Sequence, residues 1–131
     1  MCKLVIDTGA LARNLEKLRR YTSARIIAVV KGGGYGLGLV PYARWLTAQG
    51  VDMLAVSSAA EAAALRDAGI TADVLMLAST ALPEEVSALL ARNVILTVGS
   101  LDAARTVSAV AEEQGPFCTE RKQNRPIRRR V

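Results

Sequence analysis

The sequence contains no histidine, only two cysteines and no apolar run long enough to cross a membrane. Cys2 and Cys118 lie near opposite ends of the chain and lack CxxC spacing, which argues against a zinc site or a disulfide framework and favours a reducing compartment. The apolar run at residues 26–30 is far shorter than the roughly 20 residues that a membrane-spanning helix needs. No signal-peptide pattern opens the chain. We therefore expect a cytoplasmic protein with no metal site and no membrane partner.

The composition is that of a globular domain, with 51% hydrophobic and 22% charged residues. Residues 1–115 contain eleven Lys and Arg against eleven Asp and Glu, so the net charge of +5 arises entirely in residues 116–131. The basic residues of that segment are Arg121, Lys122, Arg125, Arg128, Arg129 and Arg130. A nucleic-acid-binding module is one interpretation, but only Phe117 is present there to stack on bases. We predict a basic, disordered tail and no nucleic-acid partner.

One unit recurs four times: a short apolar run, a turn, and a helical pattern that ends at Gly or Asn. Nearly continuous apolar runs are typical of buried parallel strands. They occupy residues 25–31, 51–57, 72–78 and 94–98, and residues 3–6 are predicted as a further edge or outlying strand. The strand ends lie 20 to 26 residues apart, which is typical of a βα barrel or of a compact doubly wound sheet. Four such units are half of a (β/α)₈ barrel, so the barrel interpretation implies a second half.

Capping residues predict five helices in residues 1–115. Their N-terminal signals, in chain order, are Asp7 or Thr8, Pro41, the capping box Ser58-Ala-Ala-Glu61, Thr80 followed by Pro83, and Ser100 with Asp102. The second to fifth helices are predicted to end at Gly50, Gly69, Asn93 and Gly115.

Lys31 stands where the first predicted strand ends, and three glycines and Tyr35 follow it. Apolar surroundings favour a neutral amine, which can form a Schiff base with an aldehyde cofactor. The glycine N–H groups would be open to an anion such as phosphate, and Tyr35 offers a hydroxyl donor. Taken alone, such a lysine is more often a surface residue and such glycines a flexible loop. The pattern fits neither a Walker A loop nor GxGxxG, so the residues alone leave the function open.

Residues 29–38 read Val-Val-Lys-Gly-Gly-Gly-Tyr-Gly-Leu-Gly and resemble the cofactor-attachment motif of alanine racemases, usually Val-Val-Lys-Ala-Asn-Ala-Tyr-Gly-His-Gly. Residues 5–15 resemble the opening segment of the same family, and the resemblance extends over residues 3–115. Gly33 replaces the usual Asn or Asp, and Leu37 replaces a common His. The resemblance implies the N-terminal half of a (β/α)₈ TIM-type barrel.

The resemblance also implies a pyridoxal 5'-phosphate-dependent isomerase that interconverts L- and D-alanine and supplies D-alanine for peptidoglycan. It implies that Lys31 binds the cofactor and acts as one of two proton-transfer bases. Tyr35 would contact the cofactor phosphate, and Leu77 would line the pocket. In the family, a tyrosine from a C-terminal domain supplies the second base across a homodimer interface.

The family pattern stops at Gly115, where the family continues with a strand and a motif near Lys-Ile-Asp-Thr-Gly-Met-x-Arg. Residues 116–131 contain no such motif. We therefore divide the chain into a partial barrel domain, residues 1–115, and a non-family tail, residues 116–131. We hypothesise a frameshift or truncation at this point and expect the chain alone to be inactive. The alternative function is a non-catalytic binder of pyridoxal 5'-phosphate, or an assembly partner that completes its barrel with another chain.

Overall fold

The computed structural model describes residues 4–115 of the chain. The tail predicted for residues 116–131 and both cysteines lie outside the described residues. Residues 4–6 form no strand, so the prediction of a strand at residues 3–6 is wrong for the part that the structure describes. Val5 is 87% exposed, and an apolar run that has no neighbouring strand to pair with gains no ladder hydrogen bonds.

Four parallel strands form one sheet in the order in which they occur along the chain. They are β1 (Ile27–Val29), β2 (Met53–Val56), β3 (Asp73–Met76) and β4 (Val94–Leu96). Each lies inside one of the predicted apolar runs. A doubly wound sheet reverses its strand order at a switch point, whereas this sheet does not. The order therefore matches the barrel interpretation, and the fold is the predicted partial α/β barrel.

Helices lie before, between and after the strands. They are α1 (Thr8–Tyr21), the five-residue α2 (Lys31–Tyr35), α3 (Leu39–Ala48), α4 (Ala59–Asp67), α5 (Pro83–Ala91) and α6 (Leu101–Gln114). Of these, α2 is a short turn-like element that precedes α3 between β1 and β2. No helix in residues 4–115 is both long and apolar enough to span a membrane.

Three of the predicted helix caps are confirmed. Asp7 accepts a hydrogen bond from the Ala10 N–H at 2.9 Å at the start of α1. Ser58 and Ser100 each accept from the N–H three residues later, at the starts of α4 and α6. These side chains stabilise the helices because the first N–H groups of a helix have no acceptor within the helix.

Two predicted helix starts are wrong. α3 begins at Leu39 rather than Pro41, because Gly38 turns the chain into the helix with a φ of 83°. Pro41 is then the third helical residue, where a missing N–H still costs no helical hydrogen bond. α5 begins at Pro83 after Leu82, and Thr80 instead accepts from the Leu82 N–H within the preceding turn. A proline disfavours helical backbone in the residue before it, which sets this boundary.

The hydrophobic core lies between one face of the sheet and the helices. Its fully buried side chains include Val30, Leu54, Leu65 and Val74. The opposite face of β1 is open, with Ile27 46% and Val29 37% exposed. The sequence predicted buried strands, and this prediction is wrong for that face because the described sheet has four strands and does not close around its inner side.

Candidate active site

Parallel pairing brings the carboxyl ends of all four strands together, and we call this end of the sheet the rim. Val29 lies opposite Ala55, and Val56 lies opposite Met76. Residues that follow the strands at this end form the active sites of βα-barrel enzymes. The rim is therefore the part of the fold in which a catalytic site is expected.

Lys31 lies at the rim, two residues after β1. Val30 extends the strand pairing, since its N–H donates to the carbonyl oxygen of Ala55 at 2.8 Å and its side chain is completely buried. Lys31 itself is exposed. Residues 4–115 do not bury its amine in the predicted apolar surroundings, because the neighbouring face of β1 is open to solvent. That part of the prediction is wrong, whereas the position of Lys31 at a strand end is confirmed.

The three glycines after Lys31 form a left-handed turn. Gly32, Gly33 and Gly34 have φ angles of 62°, 65° and 71°, and Tyr35 continues the turn with a φ of 54°. Glycine adopts this backbone without the steric penalty that a Cβ atom brings. Gly34 is buried, and its N–H donates to the Val30 carbonyl oxygen at 2.9 Å. The segment is a hydrogen-bonded turn rather than the open loop that glycine content alone suggests.

The carboxylate of Glu61 links this turn to the neighbouring strand. Its Oε1 accepts hydrogen bonds from the N–H groups of Gly32 at 2.6 Å and Gly33 at 3.4 Å. Its Oε2 accepts from the Ser57 N–H at 3.1 Å and from the Ser57 hydroxyl at 3.4 Å. All three glycine N–H groups thus have acceptors within the protein. The expectation that they are open to a phosphate is wrong.

The same hydrogen bonds determine the charge state of Glu61. Partial burial raises the pKa of the Glu61 carboxyl, but hydrogen bonds from the N–H groups of Ser57, Gly32 and Gly33 and from the Ser58 side chain together outweigh this effect. The pKa of Glu61 is therefore held below its ordinary value. Glu61 is a carboxylate at neutral pH, and this ionised form is the better acceptor.

The capping box predicted at Ser58 is only half formed. Ser58 accepts from the Glu61 N–H at 3.2 Å, as predicted. In the reciprocal bond, the Glu61 carboxylate accepts from the N–H of Ser57 rather than that of Ser58, because the carboxylate also reaches the glycine turn. Sequence reasoning identified Glu61 as part of a helix cap and missed it as a residue of the site.

Tyr35 and Leu77, the other predicted site residues, also lie at the rim. Tyr35 ends the turn that begins at Lys31, and its side chain is 63% exposed. Leu77 directly follows β3, where its N–H donates to the Val56 carbonyl oxygen at 2.8 Å, and its side chain is 40% exposed. One strand, β2, separates the strands of Lys31 and Leu77, which corresponds to roughly 10 Å across the sheet.

Two hydrogen bonds connect the ends of β3 and β4 at the rim. The hydroxyl of Thr97 donates to the Met76 carbonyl oxygen at 2.7 Å, and the Gly99 N–H donates to the Ser79 hydroxyl at 3.0 Å. The loops after the last two strands are therefore held together by side-chain contacts, as Glu61 holds those after the first two. The sheet and these contacts are those of a partial βα barrel with a lysine and polar groups at the carboxyl ends of its strands.

The family follows from comparison with known proteins. Residues 6–127 match the family described as "Alanine racemase, N-terminal domain". The chain belongs to the alanine racemase family, and the matched region extends past Gly115. It is 37% identical over 112 residues to an alanine racemase of Methanococcus maripaludis, an alignment that covers 84% of this chain and 30% of that protein. It is 41% identical over 115 residues to one of Limosilactobacillus fermentum, covering 86% of this chain and 30% of that protein.

Solved structures of alanine racemases have the same fold over the matched region. The enzyme of Clostridium difficile 630 superposes with a TM-score of 0.74 at 33% identity, covering 80% of this chain and 28% of that one. The enzyme of Corynebacterium glutamicum superposes with a TM-score of 0.70 at 35% identity, covering 78% of this chain and 30% of that one. The chain therefore spans about 30% of the length of the relatives that it matches.

Proposed function

We propose that this chain is the part of a pyridoxal 5'-phosphate-dependent alanine racemase that carries the cofactor lysine. The observation that supports this most is the position of Lys31, two residues after β1 at the rim, in a chain of the alanine racemase family. The proposed reaction interconverts L- and D-alanine in the cytoplasm and contributes D-alanine to peptidoglycan synthesis.

The side chains at the rim fit this cofactor. The Lys31 amine is accessible to the cofactor aldehyde, with which it would condense with loss of one water. Tyr35 is exposed, and its hydroxyl would donate to the phosphate, while Leu77 would line the pocket beside the ring. The glycine N–H groups are not part of this proposal, because Glu61 and Val30 already accept from them.

Lys31 would also transfer a proton. The bound cofactor supplies an electron-withdrawing ring that stabilises negative charge at the α-carbon of the amino acid. The Lys31 Nζ would take the α-proton from one face or return it there. A second base on the opposite face, from a homodimer partner, completes the proposed reaction.

We expect the 131 residues alone to have no measurable turnover. Lys31 is exposed, so residues 4–115 do not exclude water from its amine, and an efficient proton transfer to carbon needs a closed site. Racemisation of alanine by the purified chain, measured by optical rotation and lost in Lys31→Ala, would contradict this expectation.

The experiment that tests the cofactor site is titration of the purified chain with pyridoxal 5'-phosphate. We expect an absorption band near the visible edge that is absent in Lys31→Ala. The matched control is Lys17→Ala, which removes an exposed lysine on α1 and should leave the band unchanged. A band that persists in Lys31→Ala, or is equally reduced in Lys17→Ala, would contradict the assignment.

A non-catalytic cofactor-binding or assembly role is the second candidate. The open face of β1, with Ile27 and Val29 exposed, favours it because a second chain would bury these side chains. A chimera separates the two functions. Residues 6–115 would replace the matching segment of a complete alanine racemase: the proposed function predicts turnover, whereas the alternative predicts covalent cofactor attachment to Lys31 without turnover.

A further inference from the structure

The contacts of Glu61 exceed what a helix cap requires. A capping glutamate at the third helical position needs only the N–H at the start of its own helix. Glu61 uses Oε2 at that place, on Ser57, while Oε1 reaches the turn after β1, 28 and 29 residues earlier in the chain. The carboxylate thus joins two neighbouring segments of the rim.

Within residues 4–115, the first half of the glycine turn has open space beside its α-carbons. A Cβ atom placed on Gly32 or Gly33 would meet nothing within 4 Å, whereas one on Gly34 would lie 3.4 Å from the Leu39 nitrogen and 3.5 Å from the Tyr42 Cβ. The second half therefore packs against α3. Consecutive glycines lose the most backbone entropy on ordering. The Gly34 N–H closes the turn on the Val30 carbonyl oxygen, and the hydrogen bonds to Glu61 attach the residues next to Lys31 to the neighbouring strand.

We propose that Glu61 is a positioning residue for Lys31. By accepting from the N–H groups of Gly32 and Gly33, it fixes the backbone directly after the lysine against the junction of β2 and α4. This sets the point from which the Lys31 side chain extends over the rim. The claim that Glu61 positions Lys31 for the cofactor rests on the proposed function. The claim that Glu61 holds the glycine turn does not.

The hold on the turn is testable without cofactor, by NMR of the full 131-residue chain. We expect the amide shifts of Gly32, Gly33 and Ser57 to change together in one titration with a midpoint below 4.5, the ordinary value of a glutamate. This measurement needs no variant, so it remains decisive even if a substitution prevents folding. Absence of a common titration at these three amides would overturn the proposal.

Variants then assign the titration to Glu61. In Glu61→Gln the side chain no longer ionises, so we expect the shared titration to vanish. One carboxylate oxygen is replaced by an NH₂ group, which cannot accept from an N–H, so we expect the heteronuclear NOE of Gly32 and Gly33 to fall. Glu85→Gln is the matched control, because Glu85 occupies the same third position of α5. Rigid glycine amides in Glu61→Gln, or equal effects of the two variants, would overturn the proposal.

Cofactor titration tests the consequence for Lys31. We expect Glu61→Gln to weaken covalent attachment of pyridoxal 5'-phosphate to Lys31 by about tenfold, because two hydrogen bonds that order the adjacent backbone are lost. Glu85→Gln should attach it as the parent chain does. Equal attachment in Glu61→Gln would overturn the positioning role alone. No attachment in the parent chain would overturn the proposed cofactor site. The NMR result would then test only whether Glu61 holds the glycine turn.

Discussion

Replacement of Arg66 by alanine should destabilise the fold strongly, because this side chain makes four hydrogen bonds to backbone carbonyl oxygens. The Arg66 guanidinium on α4 donates to the carbonyl oxygens of Ile70 and Ala72 at 2.7 Å each and to those of Arg92 and Asn93 at 2.9 Å each. It therefore joins the chain after α4 to the chain after α5. Both segments lead into strands, so these bonds fix where β3 and β4 begin.

The magnitude follows from the burial of the four bonds. Those to Ile70 and Ala72 are partly buried and those to Arg92 and Asn93 are exposed. At about 1 kcal/mol for each partly buried bond and about half of that for each exposed one, Arg66→Ala lowers the free energy of unfolding by about 3 kcal/mol. For a domain of this size, that is a fall in Tm of about 15 °C.

Urea denaturation followed by circular dichroism measures this loss. Arg44→Ala is the matched control, because Arg44 is an exposed arginine that donates to one carbonyl oxygen, that of Ala68, at 2.7 Å. Its loss should cost about 0.5 kcal/mol. Arg66→Lys should recover only part of the stability, since an ammonium lacks the planar fork that reaches four acceptors. Equal destabilisation by Arg66→Ala and Arg44→Ala would refute the reasoning.

Gly34→Ala should lower the free energy of unfolding by about 2 kcal/mol, because the buried turn has positive φ and a Cβ contacts α3. Gly33→Asn should change the free energy of unfolding by less than about 0.5 kcal/mol, since asparagine tolerates positive φ and the space beside Gly33 is open. Equal losses of stability in the two variants, measured by urea denaturation, would contradict the described turn. The pKa of Glu61 is lower in the folded chain than its unfolded-state value of 4.5, so the ionised carboxylate stabilises the fold at any pH above 4.5. This contribution is lost as the pH falls through the lower folded-state pKa. Unfolding measured between pH 7 and pH 3 should therefore show a smaller acid loss in Glu61→Gln than in Glu85→Gln, and identical pH profiles would argue against it.

The fold was largely predictable because its signals are local. The nearly continuous apolar runs gave the position of every strand, and side chains such as Asp7 and Ser100 accept the helix-start hydrogen bonds that their residue types favour. The errors at Pro41 and Thr80 arose where two local signals compete and the backbone of the preceding residue decides. The exposed face of β1 was not predictable from apolarity, because burial depends on what lies opposite a strand.

The candidate site was predicted in part. The motif around Lys31 identified the strand end at which the lysine lies, since such a position follows from the βα pattern. The role of Glu61 was missed because its partners, Gly32 and Gly33, are far away in the sequence and are backbone groups that no residue pattern specifies. The exposure of Lys31 agrees with the surface position that is common for a lone strand-end lysine, whereas the predicted apolar surroundings are not formed, because solvent access at the rim depends on the whole sheet.

The most direct test of the central claim, that Lys31 is the cofactor lysine, is to locate the attachment. The chain is incubated with pyridoxal 5'-phosphate, the bond is reduced with borohydride, and the modified lysine is identified by peptide mass spectrometry. We predict modification of Lys31 at cofactor concentrations that leave the exposed Lys17 of α1 largely unmodified. Modification of all lysines in parallel, or of Lys17 before Lys31, would contradict the account.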